Sequence, residues 1–223
     1  MRENDRPATH PDFSHVRYWV FDLDNTLYPP SARLFDQIET RMTDYVMQAL
    51  GVDAKTADHL RDHYWRTHGT TLAGLMREHD VDPGPYLDDV HDISLTHIKV
   101  DPGLRAAIAR LPGKRIIYTN GPRMHADRVS RARGLAGIFH GIYGVEQAGF
   151  LPKPEAAAFQ AIFAKSGVDP SQAAMFEDEP RNLVVPHDLG MACILVGPPM
   201  SAPAPHIHHQ TEDLTGFLSQ IAA

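Results

Sequence analysis

The sequence predicts an α/β protein: a doubly wound parallel sheet with an all-helical block inserted after its first strand. Three observations carry this. Short runs of apolar, β-branched or aromatic residues recur at 16–21, 114–121, 138–144, 173–176 and 192–196. Each is too short for a stable helix and suits a buried strand. Segments with helical spacing alternate with these runs from residue 101 onward, the order of parallel βαβ units. Between Ser31 and about Val100 the spacing is helical and no strand is evident; this block of roughly 70 residues is large enough for a small bundle. The expected division is an α/β core at 15–30 and 101–223, a helical insertion at 31–100, and a flexible N-terminal segment at 1–14.

The first strand, Val16 to Phe21, ends in Asp22 and Asp24. Strict alternation would put both side chains on one face, but the chain is leaving the strand here, so they can diverge around one site. The carboxyl end of a buried strand is where open α/β sheets place their ligands. Phosphoryl transfer suits such a pair: one carboxylate can attack phosphorus while the other protonates the leaving oxygen and then activates water. Two neighbouring carboxylates resist joint ionisation, so a cation is expected between them, and their hard oxygens suit magnesium better than zinc. Taken alone, the pair fits equally well a turn in which the carboxylates cap backbone N–H groups.

In the insertion, Leu34, Phe35, Ile38, Met42, Tyr45, Val46, Ala49 and Leu50 recur at spacings of three and four and stop at Gly51, as a helix should. Further helices are expected at 54–66, 72–79 and 86–96, with 82–85 as a turn. An insertion in this place can act as a lid that keeps water from an acyl-phosphate and selects the leaving group. A packed subdomain without gating fits the same position.

Pro102 opens a helix that runs to Leu111, with proline suited to its first turn. The strand at 114–121 then ends in Thr119, Asn120 and Gly121. Beside the N-terminus of a helix at 123–133, that hydroxyl and the local N–H groups can bind phosphate oxygens, although the tripeptide alone reads as a turn. After the third strand, Lys153 lies between Pro152 and Pro154, which hold it in a defined backbone. Its ammonium can compensate a carboxylate nucleophile and a bound phosphate together. A helix follows at 155–166. The fourth strand, 173–176, ends in Glu177, Asp178 and Glu179, three acids that are costly in a row unless a cation or basic groups neutralise them. A helix from Pro180 to about Gly190, a strand at 192–196 and a closing helix at 212–222 complete the pattern. Leu214, Phe217, Leu218 and Ile221 share one face of the last helix.

Composition narrows the function. With 43% hydrophobic and 22% charged residues among 223, the chain is ordinary for a globular protein. Its net charge of −7 argues against binding a nucleic-acid polymer, which needs a basic surface. A single cysteine, Cys193, excludes an internal disulfide and a thiolate zinc cage. The polar residues 1–14 lack the apolar centre of a signal peptide, and no run of about 18 apolar residues could span a bilayer. A cytoplasmic monomer or homodimer without membrane contact is expected. Of the 14 histidines, His206, His208 and His209 cluster in a proline-rich stretch that reads as a solvated loop.

Phe-Asp-Leu-Asp-Asn-Thr-Leu at 21–27 resembles the first motif of the haloacid dehalogenase-like hydrolases, Asp-x-Asp-x-Thr. Thr119-Asn120-Gly121 resembles the second motif, Lys153-Pro154 the third and Glu177-Asp178 the fourth. They stand in the family's order and together cover most of the chain. The resemblance implies a Rossmann-like core with a C1 cap, Asp22 as nucleophile and Asp24 as general acid and base. It also implies Lys153 as a catalytic residue, with Thr119, Asn120, Gly121 and Lys153 around the phosphate. Magnesium would be held by Asp22, the backbone carbonyl of Asp24 and Asp178, with Glu177 behind them or acting through water. Glu179 stands where relatives often carry serine, a departure that alters the local charge.

Asp-Asn-Thr-Leu-Tyr-Pro at 24–29, Gly69-Thr70-Thr71-Leu72 and Val90-His91-Asp92-Ile93 are similar to the pyrimidine 5′-nucleotidase branch. That similarity implies a small phosphate monoester such as uridine or cytidine monophosphate. His91 either faces it or packs in the cap. Tyr28, Tyr64, Trp65 and Tyr86 either stack on a base or fill the bundle. The alternatives are a sugar-phosphate phosphatase or a phosphoglucomutase on the same scaffold, and, in another class, a catalytically silent binding protein.

Overall fold

A computed structural model describes residues 12–202 and 204–221. Most of the expected N-terminal segment and the end of the closing helix lie outside the described residues. β1 (Tyr18–Phe21) is followed by four cap helices: α1 (Leu34–Leu50), α2 (Ala54–His68), α3 (Thr71–His79) and α4 (Pro83–Val90). The core resumes with α5 (Pro102–Arg110), β2 (Lys114–Tyr118), α6 (Arg123–Ala132), β3 (Gly141–Tyr143) and α7 (Ala156–Ser166). It closes with β4 (Ala173–Glu177), α8 (Val184–Asp188), β5 (Ala192–Val196), β6 (His209–Thr211) and α9 (Leu214–Ile221).

All strands run parallel, in the order β3-β2-β1-β4-β5-β6. Alternation along β1 explains why both faces are covered. Trp19 and Phe21 point to one side, into a cluster with Phe176, Ile117 and residues of α5, α6 and α9. Val20 points to the other, into a cluster with Ile116, Met175, Cys193 and α7. The Phe21 and Phe176 rings stack with centroids 4.8 Å apart. Strand order reverses between β1 and β4, which opens a crevice at their carboxyl ends.

The cap helices share a core around Val46, Tyr64, Leu75, Tyr86 and Val90, which Val145 of the α/β part joins. Both arms of its connection to the sheet are gripped by Arg133, which donates to Leu27 O at 3.1 Å, Lys99 O at 2.7 Å and the Asp101 carboxylate at 2.7 Å.

Four local expectations are corrected. Residues 82–85 are no separate turn: Asp82 caps α4, accepting from Gly84 N–H at 2.9 Å, and Pro83 occupies its first turn. The helix then stops at Val90, and residues 91–100 form an irregular connection in which the Ser94 backbone pairs with the Gln37 side chain. The segment after Pro180 begins as a 3-10 turn at Pro180–Leu183 before the short α8. The histidine cluster is a solvated loop only in part: His206 and His208 lie outside regular structure and His208 is exposed, but the segment is tied to the sheet edge. His208 Nδ1 accepts from Cys193 N–H at 2.9 Å, His208 N–H donates to Cys193 O, and His209 opens the edge strand β6. Among the described residues no helix is long and apolar enough to cross a membrane.

Candidate active site

The Asp22 N–H donates to Phe176 O at 2.9 Å, continuing the β1–β4 ladder one residue past the strand. The Asp22 side chain is therefore fixed at the sheet end, where it is buried. The chain then turns through Asn25 in left-handed backbone (φ 59°), a conformation asparagine tolerates better than most residues. The two carboxylates diverge. Asp22 faces Lys153, whereas Asp24 turns toward α6 and accepts from Tyr28 Oη at 2.6 Å.

Lys153 is 1% exposed and spends its three ammonium donors inside the protein. They reach Asp22 Oδ1 at 2.7 Å, Glu177 Oε2 at 2.6 Å and Tyr118 O at 3.3 Å. Its backbone is locked to the 119–121 loop by a reciprocal pair: Lys153 N–H donates to Asn120 Oδ1 at 2.8 Å, and Asn120 Nδ2 donates to Lys153 O at 3.2 Å. Thr119 is buried, and its Oγ1 accepts from Gly121 N–H at 3.0 Å. That N–H is thus turned inward onto the hydroxyl.

Asp22, Glu177 and Asp178 can bring one carboxylate oxygen each within 4.8 Å of one another. Burial, followed by the charge of Glu177, raises the Asp22 carboxyl above its ordinary range. Burial and the charges of Asp22 and Glu177 do the same to Asp178. Burial alone would lower the Lys153 ammonium, but Asp22 and Glu177 outweigh it and hold it above its usual value. One ammonium among three carboxylates leaves the cluster short of positive charge, and a hard divalent cation matches an all-oxygen donor set. Asp24 behaves differently: burial works to raise it, yet hydrogen bonds from His125 and Tyr28 hold it below the usual carboxylate range.

Above this floor lies a cleft of about 680 Å³ between core and cap, lined by Asp22, Asp24, Thr119 and Asp178 below and by Arg61, Tyr86 and His91 above. Arg181 bridges the two walls. It donates to Trp65 O at 2.7 Å and Gly69 O at 2.8 Å, and its guanidinium carbon lies 3.8 Å from the centre of the Trp65 ring. Arg77 and Glu155 make a second bridge at 2.6 Å.

The profile of the haloacid dehalogenase-like hydrolases matches residues 16–184, from the run into β1 to the start of α8. The chain belongs to this hydrolase family. It is 26% identical over 207 residues to phosphate metabolism protein 8 of Saccharomyces cerevisiae (strain ATCC 204508 / S288c), covering 85% of this chain and 64% of that protein. The chain therefore spans less than two thirds of that relative's length. The structure of CbbY from Rhodobacter sphaeroides in complex with phosphate is similar with a TM-score of 0.62 and 18% identity, over 90% of this chain and 95% of that one. The HAD-hydrolase YfnB from Bacillus subtilis bound to magnesium gives 0.60 and 15%, over 92% and 98%. At these identities the two structures speak to the fold alone.

Within this haloacid dehalogenase-like framework, Asp22, Asp24, Thr119, Asn120, Gly121, Lys153, Glu177 and Asp178 all come together at the carboxyl end of the sheet. Of the four aromatics, Tyr64 and Tyr86 are buried in the cap and Tyr28 is buried against Asp24, leaving Trp65 partly exposed beneath Arg181. His91 lines the cleft and also packs on His125, with ring centroids 4.8 Å apart. Sequence reasoning missed His125 and Arg181. His125 lies in the first turn of α6, just after the Thr119 strand end, but a lone histidine there carries no signal in the sequence.

Proposed function

We propose that the protein is a magnesium-dependent phosphate monoester hydrolase that works through an aspartyl-phosphate on Asp22. The observation that carries this reading is the buried Asp22–Lys153–Glu177 cluster with Asp178 beside it and Asp24 held apart on its own donors. Asp22, Asp178, Glu177 and the Asp24 carbonyl would hold the magnesium ion. When bound, it supplies charge that offsets repulsion between a phosphate dianion and the carboxylate nucleophile.

Lys153 orients Asp22 through Oδ1 and screens it from Glu177. The other Asp22 oxygen attacks phosphorus, forming an acyl-phosphate as the P–O bond to the leaving group breaks. Asp24 gives its proton to the departing alkoxide. It then takes a proton from water as that water attacks phosphorus, and the Asp22 oxygen–phosphorus bond breaks to release inorganic phosphate, restoring the Asp22 carboxylate and the protonated Asp24. Thr119, Asn120 and Gly121 form the wall beside the transferred group. The cap excludes bulk water while the acyl-phosphate exists.

The leaving group we favour is a pyrimidine nucleoside, as in uridine or cytidine monophosphate. Both cap segments that resemble the nucleotidase branch line the cleft, through Gly69 to Leu72 and through Val90 and His91. The cleft is also of ordinary size for a small-molecule site. The yeast relative's name places that protein in phosphate metabolism.

Phosphate release from a panel of nucleoside and sugar monophosphates, with magnesium and with chelator, tests the reading. Magnesium-dependent preference for the pyrimidine nucleotides is expected. Preference for sugar phosphates would keep the chemistry and discard the nucleoside. Activation by a bisphosphate with little phosphate release would point to a mutase, and no turnover at all to a silent binder. Asp22→Asn should abolish turnover; full activity in that variant would sink the mechanism.

A further inference from the structure

We propose that His125 is a positioning residue for Asp24: with Tyr28 it clamps the Oδ1 oxygen, so that Oδ2 alone exchanges the proton with the leaving group and with water. This rests on the phosphatase reading above and concerns the step in which Asp24 acts.

The geometry is asymmetric. Asp24 Oδ1 meets two side-chain partners, Tyr28 Oη at 2.6 Å and His125 Nε2 at 3.3 Å. Among the described residues Oδ2 meets only the Thr119 hydroxyl, at 3.5 Å. An Asp24 carboxylate can only accept, so the Tyr28 hydroxyl is the donor of this pair. An oxygen whose lone pairs already receive two hydrogen bonds is a poor place for a further proton. The other oxygen is left for exchange. When Asp24 is protonated on Oδ2, Oδ1 becomes the carbonyl oxygen and still accepts from both donors, so the clamp survives both half-reactions without rearranging.

The placing of His125 fits a fixed support. Its side chain is fully buried in the first turn of α6, and among the described residues its Nδ1 has no hydrogen-bond partner. A donor role at Nε2 is thus the one polar contact that accounts for a histidine there. Behind it stands His91, the residue that ends α4 of the cap. The His91 Nδ1–H donates to Leu87 O at 2.9 Å, which fixes that ring in turn. Arg128 ties the same segment to α6 by donating to His91 O and Ile93 O, both at 3.1 Å. The end of α4 is therefore packed directly against the residue that supports the Asp24 carboxyl.

Leaving-group dependence separates this role from a merely structural one. With magnesium present, kcat/KM is measured for a nucleoside 5′-monophosphate, whose alkoxide must be protonated, and for p-nitrophenyl phosphate, whose phenolate hardly needs it. His125→Leu keeps bulk and removes the donor. It should lose on the order of 10- to 100-fold with the alkyl ester and only a few-fold with the aryl ester, since a misaimed acid forfeits part of the ~10²–10⁴ that acid–base catalysis supplies. His125→Gln, which places an amide donor near the Nε2 position, should recover most of the loss. Tyr28→Phe deletes only a hydroxyl and should show the same split, which keeps the test open if His125→Leu fails to fold.

Equal losses on both esters, or a glutamine variant as poor as the leucine one, would overturn the proposal. Absence of wild-type turnover on both esters would remove the reaction itself and the proposal with it, an outcome visible before any variant is made.

Discussion

Lys153 shows how much one side chain can carry in this core. Its ammonium is the partner of two buried carboxylates at once, and removing one member of a buried ionic cluster leaves the rest uncompensated. Lys153→Met should lower stability by about 3–5 kcal/mol at neutral pH, measured by urea unfolding with chelator present. A change below about 1 kcal/mol would mean the charges are far better solvated than their burial indicates. His91 sets a pH dependence of its own. Burial, then the neighbouring His125, lowers its pKa from 6.5 to about 4. The unfolded chain takes up this proton below about 6.5 and the folded chain only near 4, so the stabilisation is complete at neutral pH and is lost as pH falls through that window. Its share between pH 7 and pH 5 is about 2 kcal/mol, read as the difference between wild type and His91→Gln. At this scale the acids, Thr119 and Lys153 were legible because each sits in a short motif at a loop or strand end. His125 was not: a lone histidine on a helix has no pattern until α6 is laid against β1.

Among the elements, the contact between α2 and α3 is the tightest to argue. Gly74 lies inside α3 where helix propensity favours alanine by about 1 kcal/mol. Yet a Cβ there would stand 2.2 Å from Tyr64 Cγ. Gly74→Ala should therefore destabilise the cap, because overpacking of about 1–3 kcal/mol exceeds the helical gain when the clash is this deep. A melting temperature unchanged or raised would show that the Tyr64 ring can step aside. The long elements were readable: α1 begins and ends where its spacing of apolar residues and Gly51 say it should. The failures have local causes. Asp82-Pro83-Gly84 is equally good as a turn and as a helix start, and only the downstream packing of Tyr86 and Leu87 decides. β6 is three residues long and pairs along one edge, so its strand character comes from the register with β5 and not from its own His-Gln-Thr composition.

For the molecule as a whole, besides the His91–His125 and Arg128 contacts, cap and core meet at two places of different character. Arg133 grips both connecting arms at one side, while Arg181 and the Arg77–Glu155 pair reach across the cleft at the other. A cap that opens would pivot on the first and be held shut by the second, as a latch. Arg181→Ala should raise KM more than it lowers kcat and make Trp65 more accessible to acrylamide quenching. Unaltered quenching together with unaltered KM would show that the latch contributes nothing to closure. The sheet register also dictates a timetable. β1 lies between β2 and β4, which follow it by roughly 100 and 150 residues, pairings of the slow, non-local kind. The cap helices touch mostly their neighbours in sequence. On a ribosome adding about 5–20 residues per second, the cap is complete while Trp19 and Phe21 still have no sheet to enter. For several seconds the cap segment is free to fold while the apolar strand before it has no partner, the segment that a chaperone would be expected to hold.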